Sequence, residues 1–268
     1  MLRKFLKILF HLLLVILLTA ITQIGGILWL ISLLILKKES RNYRLKQTFL
    51  FLAIYVVFTL FLVPFTAPYA GRQKISNNTM VTYHTVFTVL LNRNYVKPQL
   101  HEILQKTALK FQKQYPNIKI TYLDASFPFF DGFPLLPHLS HNDGKKIDLA
   151  FIYRDVSGVI TNQKPSVSGY GVFEEPTKRN FNQTAFCKSK GYFQYDFPKY
   201  LTFGTINSKL SLHAKATAHL VQLLANNGNT SKIFIEPHLK TKLRLSSKKI
   251  RFHGCQAVRH DDHLHLQL

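Results

Sequence analysis

Residues 5–36 read FLKILFHLLLVILLTAITQIGGILWLISLLIL, and this apolar run decides the first feature of the architecture. It is interrupted at His11, Gln23 and the Gly25-Gly26 pair. Because about 20 helical residues cross the hydrocarbon core of a membrane, the run is long enough for one tilted crossing. It is too long for the apolar core of a signal peptide and no convincing small-residue cleavage site follows it, so we expect a retained transmembrane helix.

A second apolar run, Phe49–Val63, ends at Pro64 and is just long enough to span if Gln47 and Thr48 are included. Five bases lie between the two runs, Lys37, Lys38, Arg41, Arg44 and Lys46, and three lie at the amino terminus, Arg3, Lys4 and Lys7. Since segments rich in Lys and Arg stay in the cytoplasm, this excess predicts a cytoplasmic connection with both chain ends outside. Residues 1–67 are therefore expected to form a membrane anchor of two transmembrane helices.

The remaining chain has the mixed composition of a soluble domain, with a linker and entry segment over 68–98 and the domain over 99–268. Helical spacing of apolar residues predicts helices at Gln99–Gln114 and Ala214–Ala225. Short runs rich in β-branched, aromatic or alternating residues predict strands at Ile118–Leu123, Ile147–Tyr153, Tyr170–Glu174, Ser231–Ile235, Lys249–Phe252 and Asp262–Leu268. Separate helices and strands favour an α+β domain with an antiparallel sheet.

The net charge is +22, and residues 68–268 carry 27 bases against 12 acids. A domain this basic attracts polyanions, which leaves nucleic acid, anionic lipid headgroups and the phosphate-bearing polymers of a bacterial envelope as candidates. The sequence has no nucleic-acid module signature, so we do not expect nucleic acid to be the partner. Cys187 and Cys255 either pair as a disulfide in an oxidising compartment or remain two unpaired thiols, and the sequence leaves both open.

Two distant segments concentrate metal-binding residues: His138–Asp148, which reads HLSHNDGKKID, and His260–His265, which reads HDDHLH. Catalytic zinc takes three protein ligands from His and carboxylate and leaves a fourth position for water. A two-residue spacing on a strand places His263 and His265 on one face, about 7 Å apart. Chance is the alternative, because the chain has 12 histidines.

The first segment resembles the His-x-Ser-His-x-x-Gly-x-x-x-Asp stretch of the penicillin-insensitive murein endopeptidases, and the second resembles their His-x-x-His-x-His ending. These enzymes share a fold group with the D-alanyl-D-alanine peptidases and the hedgehog signalling domain. The resemblance implies a zinc peptidase that cuts peptidoglycan cross-links between D-alanine and the diamino acid of the stem peptide. It implies a domain on the periplasmic or extracellular side of a bacterial cytoplasmic membrane.

The same resemblance assigns roles to individual residues. It implies that His141, Asp148 and His265 hold Zn²⁺, that His263 is the catalytic base, and that His260 and His138 orient the substrate or stabilise the oxyanion. Two other hypotheses stay open. The chain could be a non-catalytic zinc-binding module of this fold that binds wall peptide, or a basic membrane protein that binds anionic polymer or lipid.

Overall fold

The computed structural model describes residues 1–36 and 41–268, so Lys37 and Lys38 of the connecting segment lie outside the described residues. The helices are α1 (Leu2–Thr22), α2 (Gly25–Ile35), α3 (Tyr43–Val57), α4 (Val63–Thr66), α5 (Val86–Leu90), α6 (Pro98–Gln114), α7 (Gln183–Ser189), α8 (Ala214–Ala225) and α9 (Pro237–Lys242). A π-helical turn, Phe58–Leu62, joins α3 to α4, and 3₁₀ turns cover Ala67–Ala70 and Phe193–Leu201.

The strands are β1 (Gln73–Lys74), β2 (Val81–Tyr83), β3 (Tyr95–Val96), β4 (Ile120–Tyr122), β5 (Lys146–Ala150), β6 (Tyr153–Arg154), β7 (Ile160–Thr161), β8 (Ser211–Leu212), β9 (Lys232–Phe234), β10 (Ile250–Arg251) and β11 (His263–Gln267). The chain forms two compact units, each built from separated segments. We call Met1–Ile75, Val86–Pro98 and Ser126–Gly144 the helical unit, and Ser76–Thr85, Gln99–Ala125 and Lys145–Leu268 the sheet unit.

The helical unit contains two helices long and apolar enough to cross a membrane, Leu2–Thr22 and Tyr43–Ala70. The first apolar run of the sequence is not one continuous helix, so the expectation of a single helix over residues 5–36 is wrong. Gln23 takes a left-handed φ of 69°, which ends α1, and α2 begins at Gly25. The Gly25-Gly26 pair therefore lies in the first turn of α2 rather than in the middle of a continuous helix.

The three apolar helices alternate in direction. Gly26 lies so close to Thr19 and the carbonyl of Val15 that a β-carbon would stand 2.0 Å from the Thr19 hydroxyl. Farther along α2, the Trp29 indole donates to His11 Nδ1 at 3.2 Å, so α2 runs antiparallel to α1. Residue numbers rise along one helix as they fall along the other.

Helix α3 reverses direction once more. The side chains of Ser32 and Gln47 lie 2.6 Å apart, and the rings of Trp29 and Phe51 meet edge to face. Because α3 is antiparallel to α2, α1 and α3 run the same way. The bases at the start of α1 and those at the start of α3 therefore lie at the same end of the helical unit, which contradicts the expected separation of the amino terminus from Arg44.

Two later segments complete the helical unit. Strands β1 and β3 pair, and Tyr95 also bridges to Ser126. The Tyr55 hydroxyl donates to the carbonyl of Leu90 at 2.5 Å, and Gln23 accepts from the amide of Phe129 at 2.9 Å. These bonds hold residues 86–98 and 126–144 against the carboxyl ends of α1 and α3.

The sheet unit is organised around a six-stranded sheet in the order β10-β9-β11-β5-β4-β2. The expected antiparallel pairing is confirmed at its centre, where β11 lies between β9 and β5 and β5 pairs with β4. The two edge pairs, β10 with β9 and β2 with β4, are parallel. A second sheet of three short strands, β7-β6-β8, is antiparallel.

The predicted helices Gln99–Gln114 and Ala214–Ala225 are confirmed as α6 and α8, and five of the six predicted strands overlap a strand of the structure. The exception is Tyr170–Glu174, which is an irregular segment. Gly169 and Gly171 flank Tyr170 with φ of 88° and 79°, and this backbone turns the chain instead of extending it. The disulfide that the sequence left open is present between Cys187 and Cys255.

Candidate metal centre

The centre of the site is a cross-strand pair at the middle of the six-stranded sheet. Asp148 on β5 stands directly opposite His265 on β11. Directly opposed residues on antiparallel strands have β-carbons about 5 Å apart, so their side chains meet. His265 Nδ1 lies 2.9 Å from Asp148 Oδ1, and both side chains are buried.

His263 lies on the same face of β11 as His265, as the two-residue spacing predicts. Its Nε2 is 3.7 Å from Asp148 Oδ1, and its Nδ1 is 2.5 Å from Asp262 Oδ1. The other oxygen of Asp262 accepts from the amide of Gly171 at 2.6 Å. Asp262 is thereby fixed by the backbone and in turn fixes the orientation of the His263 ring.

The opposite face of these strands is apolar. Leu264 pairs with Leu149 and Leu266 pairs with Ile147, and all four residues are fully buried. Burial of four aliphatic side chains contributes about 1.5–3 kcal/mol each. This face anchors the strands in the core, so the backbone positions of Asp148, His263 and His265 are set by packing.

Tyr170 supports the cross-strand pair from a loop. Its hydroxyl donates to Asp148 Oδ2 at 2.9 Å, and its ring meets the ring of His263 edge to face at 5.0 Å. Asp148 therefore has one carboxylate oxygen towards the histidines and the other towards Tyr170. Sequence reasoning missed Tyr170 and gave no role to Asp262, because both act through contacts that a loop makes with β11.

His260 stands just before β11 and is held by a buried carboxylate. Its amide donates to Glu236 Oε1 at 3.0 Å, and the Tyr195 hydroxyl donates to Glu236 Oε2 at 2.6 Å. The His260 ring lies 5.0 Å from that of His263 and 5.7 Å from that of His265. Nδ1 of His260 is buried and has no hydrogen-bond partner among the described residues.

A buried guanidinium neutralises the acids beside this histidine. Arg259 Nε donates to Asp261 Oδ1 at 2.6 Å, and its two terminal nitrogens reach the Glu175 carboxylate at 3.1 and 2.9 Å. The same guanidinium stacks 3.9 Å from the centre of the Phe173 ring. A buried charge is costly unless it is paired, and here Arg259 is paired on both sides.

The pKa values follow from burial and from this crowding of charges. Burial alone lowers the pKa of His263, but the carboxylates of Asp262 and Asp148 reverse the direction and raise it to about 9. Burial also lowers the pKa of His260, and the imidazoles of His263 and His265 lower it further. Burial raises the pKa of Asp261, and the hydrogen bonds from the Arg259 guanidinium oppose that shift.

The two loop histidines of the first segment also belong to a potential metal cluster. His138, His141 and Asp148 each offer one ligand atom, and these atoms all lie within 4.8 Å of one another. His141 and Asp148 are almost fully buried, and His138 is half-buried. Two imidazoles and one carboxylate are a donor set that suits zinc and several other divalent metals, so the residues fit a metal ion.

The sequence-predicted site residues are thus brought close to Asp148 in two groups. His138 and His141 share the potential metal cluster with Asp148, while His263 and His265 contact it from β11. Whether the third ligand is His265, as the resemblance implies, or His138 stays a prediction. No protein-family model matches the chain, and no curated protein is significantly similar to it.

Proposed function

We propose that the chain is a membrane-anchored zinc metallopeptidase that hydrolyses stem or cross-link peptides of peptidoglycan. The observation that carries the proposal is the buried Asp148 carboxylate, which lies within 4.8 Å of the nearest ring nitrogens of His138 and His141 and directly opposite His265 on the central strand. An acid and several imidazoles at one buried place are costly to fold unless a bound cation or a proton compensates them. A divalent cation is a compensating group that the imidazole and carboxylate donors of this cluster suit.

His141, Asp148 and His265 would hold the zinc ion. A bound zinc ion supplies a Lewis acid that polarises a carbonyl group and lowers the pKa of water. Tyr170 would keep Asp148 in its ligand orientation through the bond to Oδ2. Such outer hydrogen bonds fix the geometry of ligands and raise their affinity for metal.

His263 would carry the proton in the hydrolysis. Without a cation the raised pKa keeps the His263 ring protonated at neutral pH, and a zinc ion held by Asp148 would lower that pKa by charge repulsion. In the neutral ring Nδ1 donates to Asp262, so the lone pair is at Nε2, on the side that faces Asp148. From there Nε2 can accept a proton from water and return it to the nitrogen of the leaving amine. Asp262, held by the amide of Gly171, selects this tautomer, in the way that a buried carboxylate orients the histidine of a serine protease.

His260 and His138 would bind the substrate. The buried, unpartnered Nδ1 of His260 is a group that a carbonyl or carboxylate of the peptide could satisfy. Glu236 holds the backbone of His260 in place and leaves its ring free for that contact. The peptidoglycan substrate itself rests on the resemblance of the two histidine segments to the murein endopeptidases.

The topology supports a location outside the cytoplasm. Arg3, Lys7 and Arg44 all lie at one end of the parallel helices α1 and α3, and a cluster of bases favours the cytoplasmic side. The chain that follows Ala70 leaves from the other end of its helix. The disulfide between Cys187 and Cys255 is typical of an oxidising compartment, which agrees with a domain on the periplasmic or extracellular side.

The test uses the full-length chain in detergent micelles with purified peptidoglycan sacculi of several wall chemistries. We expect shorter muropeptides by chromatography, loss of activity with a chelator, and recovery when zinc is added back. His263→Ala should lower turnover by about 10²–10⁴-fold without lowering the zinc content. His101→Ala, a half-buried histidine outside the site, is the matched control.

Unaltered muropeptides from every sacculus preparation, with zinc bound stoichiometrically, would reject hydrolysis. Retention of the chain on those sacculi would then assign the non-catalytic wall-binding function. Binding that weakens steeply with salt and ignores chelators would instead indicate a basic polymer-binding protein.

A further inference from the structure

The helical unit contains a cavity that the proposed peptidase chemistry does not use. Its volume is about 740 Å³, and all three apolar helices line it. The amino-terminal turns of α1 contribute Arg3, Lys7 and Phe10, α3 contributes Tyr43 and Arg44, and Trp29 of α2 also lines it.

The charged side chains that line this cavity are all basic. Three bases line it, and none of the described residues around it is Asp or Glu. In residues 1–67 the sequence has a single acid, Glu39, which lies outside the described residues. Bases from two different helices converge on one cavity, so an anion placed there would be attracted by all of them.

The walls are apolar and continue along α1. Leu6, Phe10, Leu13 and Leu17 recur every three or four residues, and each is more than half exposed. From Leu6 to Leu17 this stripe runs about 16 Å along the helix, which is close to half of the roughly 30 Å hydrocarbon thickness of a bilayer. A ligand with one anionic end and a chain of one leaflet's length therefore matches both features.

We infer that this cavity binds the phosphate headgroup of an anionic phospholipid, with Arg3, Lys7 and Arg44 as its cationic partners and the Leu6–Leu17 stripe against an acyl chain. The aromatic ring of Tyr43, beside Arg44, is typical of the depth at which headgroups lie, while Trp29 contacts His11 at the level of the apolar stripe. The inference is independent of catalysis in the sheet unit. It depends on insertion of α1 and α3 in a membrane.

Trp29 is the single tryptophan of the chain and lines the cavity, so its fluorescence reports occupancy directly. The full-length chain is placed in nanodiscs that contain a fixed fraction of lipid with brominated acyl chains, which quench nearby tryptophan. We expect brominated phosphatidylglycerol to quench Trp29 more than brominated phosphatidylcholine at equal mole fraction. Equal quenching by the two lipids would overturn the inference.

Variants of the three bases that line the cavity test whether the cavity itself selects the anionic lipid. Each base near an anionic headgroup contributes about 1 kcal/mol, so Arg44→Gln should reduce the preference for phosphatidylglycerol about fivefold, and the triple variant with Arg3→Gln and Lys7→Gln should abolish it. The control neutralises three exposed bases of the sheet unit, Lys110→Gln, Lys113→Gln and Lys178→Gln, and should keep the preference. Loss of the preference in the control would mean that net charge, not the cavity, selects the lipid.

Two further experiments separate loss of charge from misfolding, and binding of a lipid headgroup from binding of free phosphate. Exchanging the charges conservatively, with Arg3→Lys, Lys7→Arg and Arg44→Lys, should restore the preference if the triple variant lost it through charge rather than through misfolding. Inorganic phosphate added to phosphatidylcholine nanodiscs should leave Trp29 fluorescence unchanged. A change as large as that caused by phosphatidylglycerol would assign the site to free phosphate and overturn the lipid assignment.

Discussion

Asp148 and His265 are register partners on the two central strands of the sheet, and their side chains meet at 2.9 Å. The pair joins two parts of the sequence that are 117 positions apart. Because both strands are buried on both faces, neither side chain can move far without disturbing the core. A metal ligand placed here is pre-organised, which reduces the conformational entropy lost on binding.

Replacing either member of this pair should weaken metal binding more than any change outside the site. We expect Asp148→Asn and His265→Ala each to lower zinc affinity by more than about 100-fold, since loss of outer-shell partners alone costs 10–100-fold. Competition with a chromogenic chelator measures this, and His101→Ala is the control. Wild-type affinity in His265→Ala together with loss in His138→Ala would assign the third ligand to His138 instead.

Tyr170 should support the metal without binding it. Tyr170→Phe removes the hydroxyl that donates to Asp148 Oδ2 but keeps the ring against His263. We expect about 10–100-fold weaker zinc binding with an unchanged circular dichroism spectrum. Tyr200→Phe, at an exposed tyrosine, should have no effect. A Tyr170→Phe variant with wild-type affinity would show that the bond to Asp148 does not orient the ligand.

The sequence predicted the strand residues of this site better than the side chains that hold those residues in place. Alternation over the last residues of the chain correctly placed His263 and His265 on one face, because the period of a strand is local. The segment around Tyr170 was wrongly predicted as a strand, since two glycines with positive φ turn it there. Contacts such as those of Tyr170 and Glu236 depend on long-range packing, which no local pattern reports.

In the apolar amino-terminal segment, the sequence pattern likewise failed to predict how the chain folds. Hydropathy identifies an apolar run but does not say where the run reverses, and the reversal at Gln23 depends on a left-handed backbone at a non-glycine residue. The close approach of Gly26 to α1 was visible in the sequence as a Gly-Gly pair, but that pair was counted as an interruption. The charge count then assigned the amino terminus to the opposite side from Arg44.

This corrected helix direction predicts the labelling of introduced cysteines. The two natural cysteines are joined in a disulfide, so they do not react with maleimides. We expect Leu2→Cys and Leu45→Cys to react with a membrane-impermeant maleimide from the same, cytoplasmic side in inverted vesicles, and Lys178→Cys to react in spheroplasts. Reaction of positions 2 and 45 from opposite sides would restore a single crossing over residues 5–36 and contradict the helical hairpin.

Lys164 should make stability depend on pH. It is almost fully buried, its ammonium donates to the carbonyl of Asn162 at 3.1 Å, and burial lowers its pKa from 10.5 to about 8. Below pH 8 both the folded and the unfolded chain carry the proton, so the folded state bears the full cost of burying the charge, on the order of 3 kcal/mol. Between pH 8 and 10.5 the unfolded chain binds more protons, so stability rises with pH, and above this window the cost is absent.

The matched variant is Lys164→Met, which keeps an unbranched apolar side chain but has no charge. We expect it to melt at a higher temperature than the wild type at pH 7, and we expect this difference to shrink as the pH rises from 8 towards 10.5. Thermal unfolding of the full-length chain in detergent, followed by circular dichroism at several pH values, measures both quantities. A difference between the two proteins that stays constant over this range would show that Lys164 is not buried as a charge, and that its contribution is packing alone.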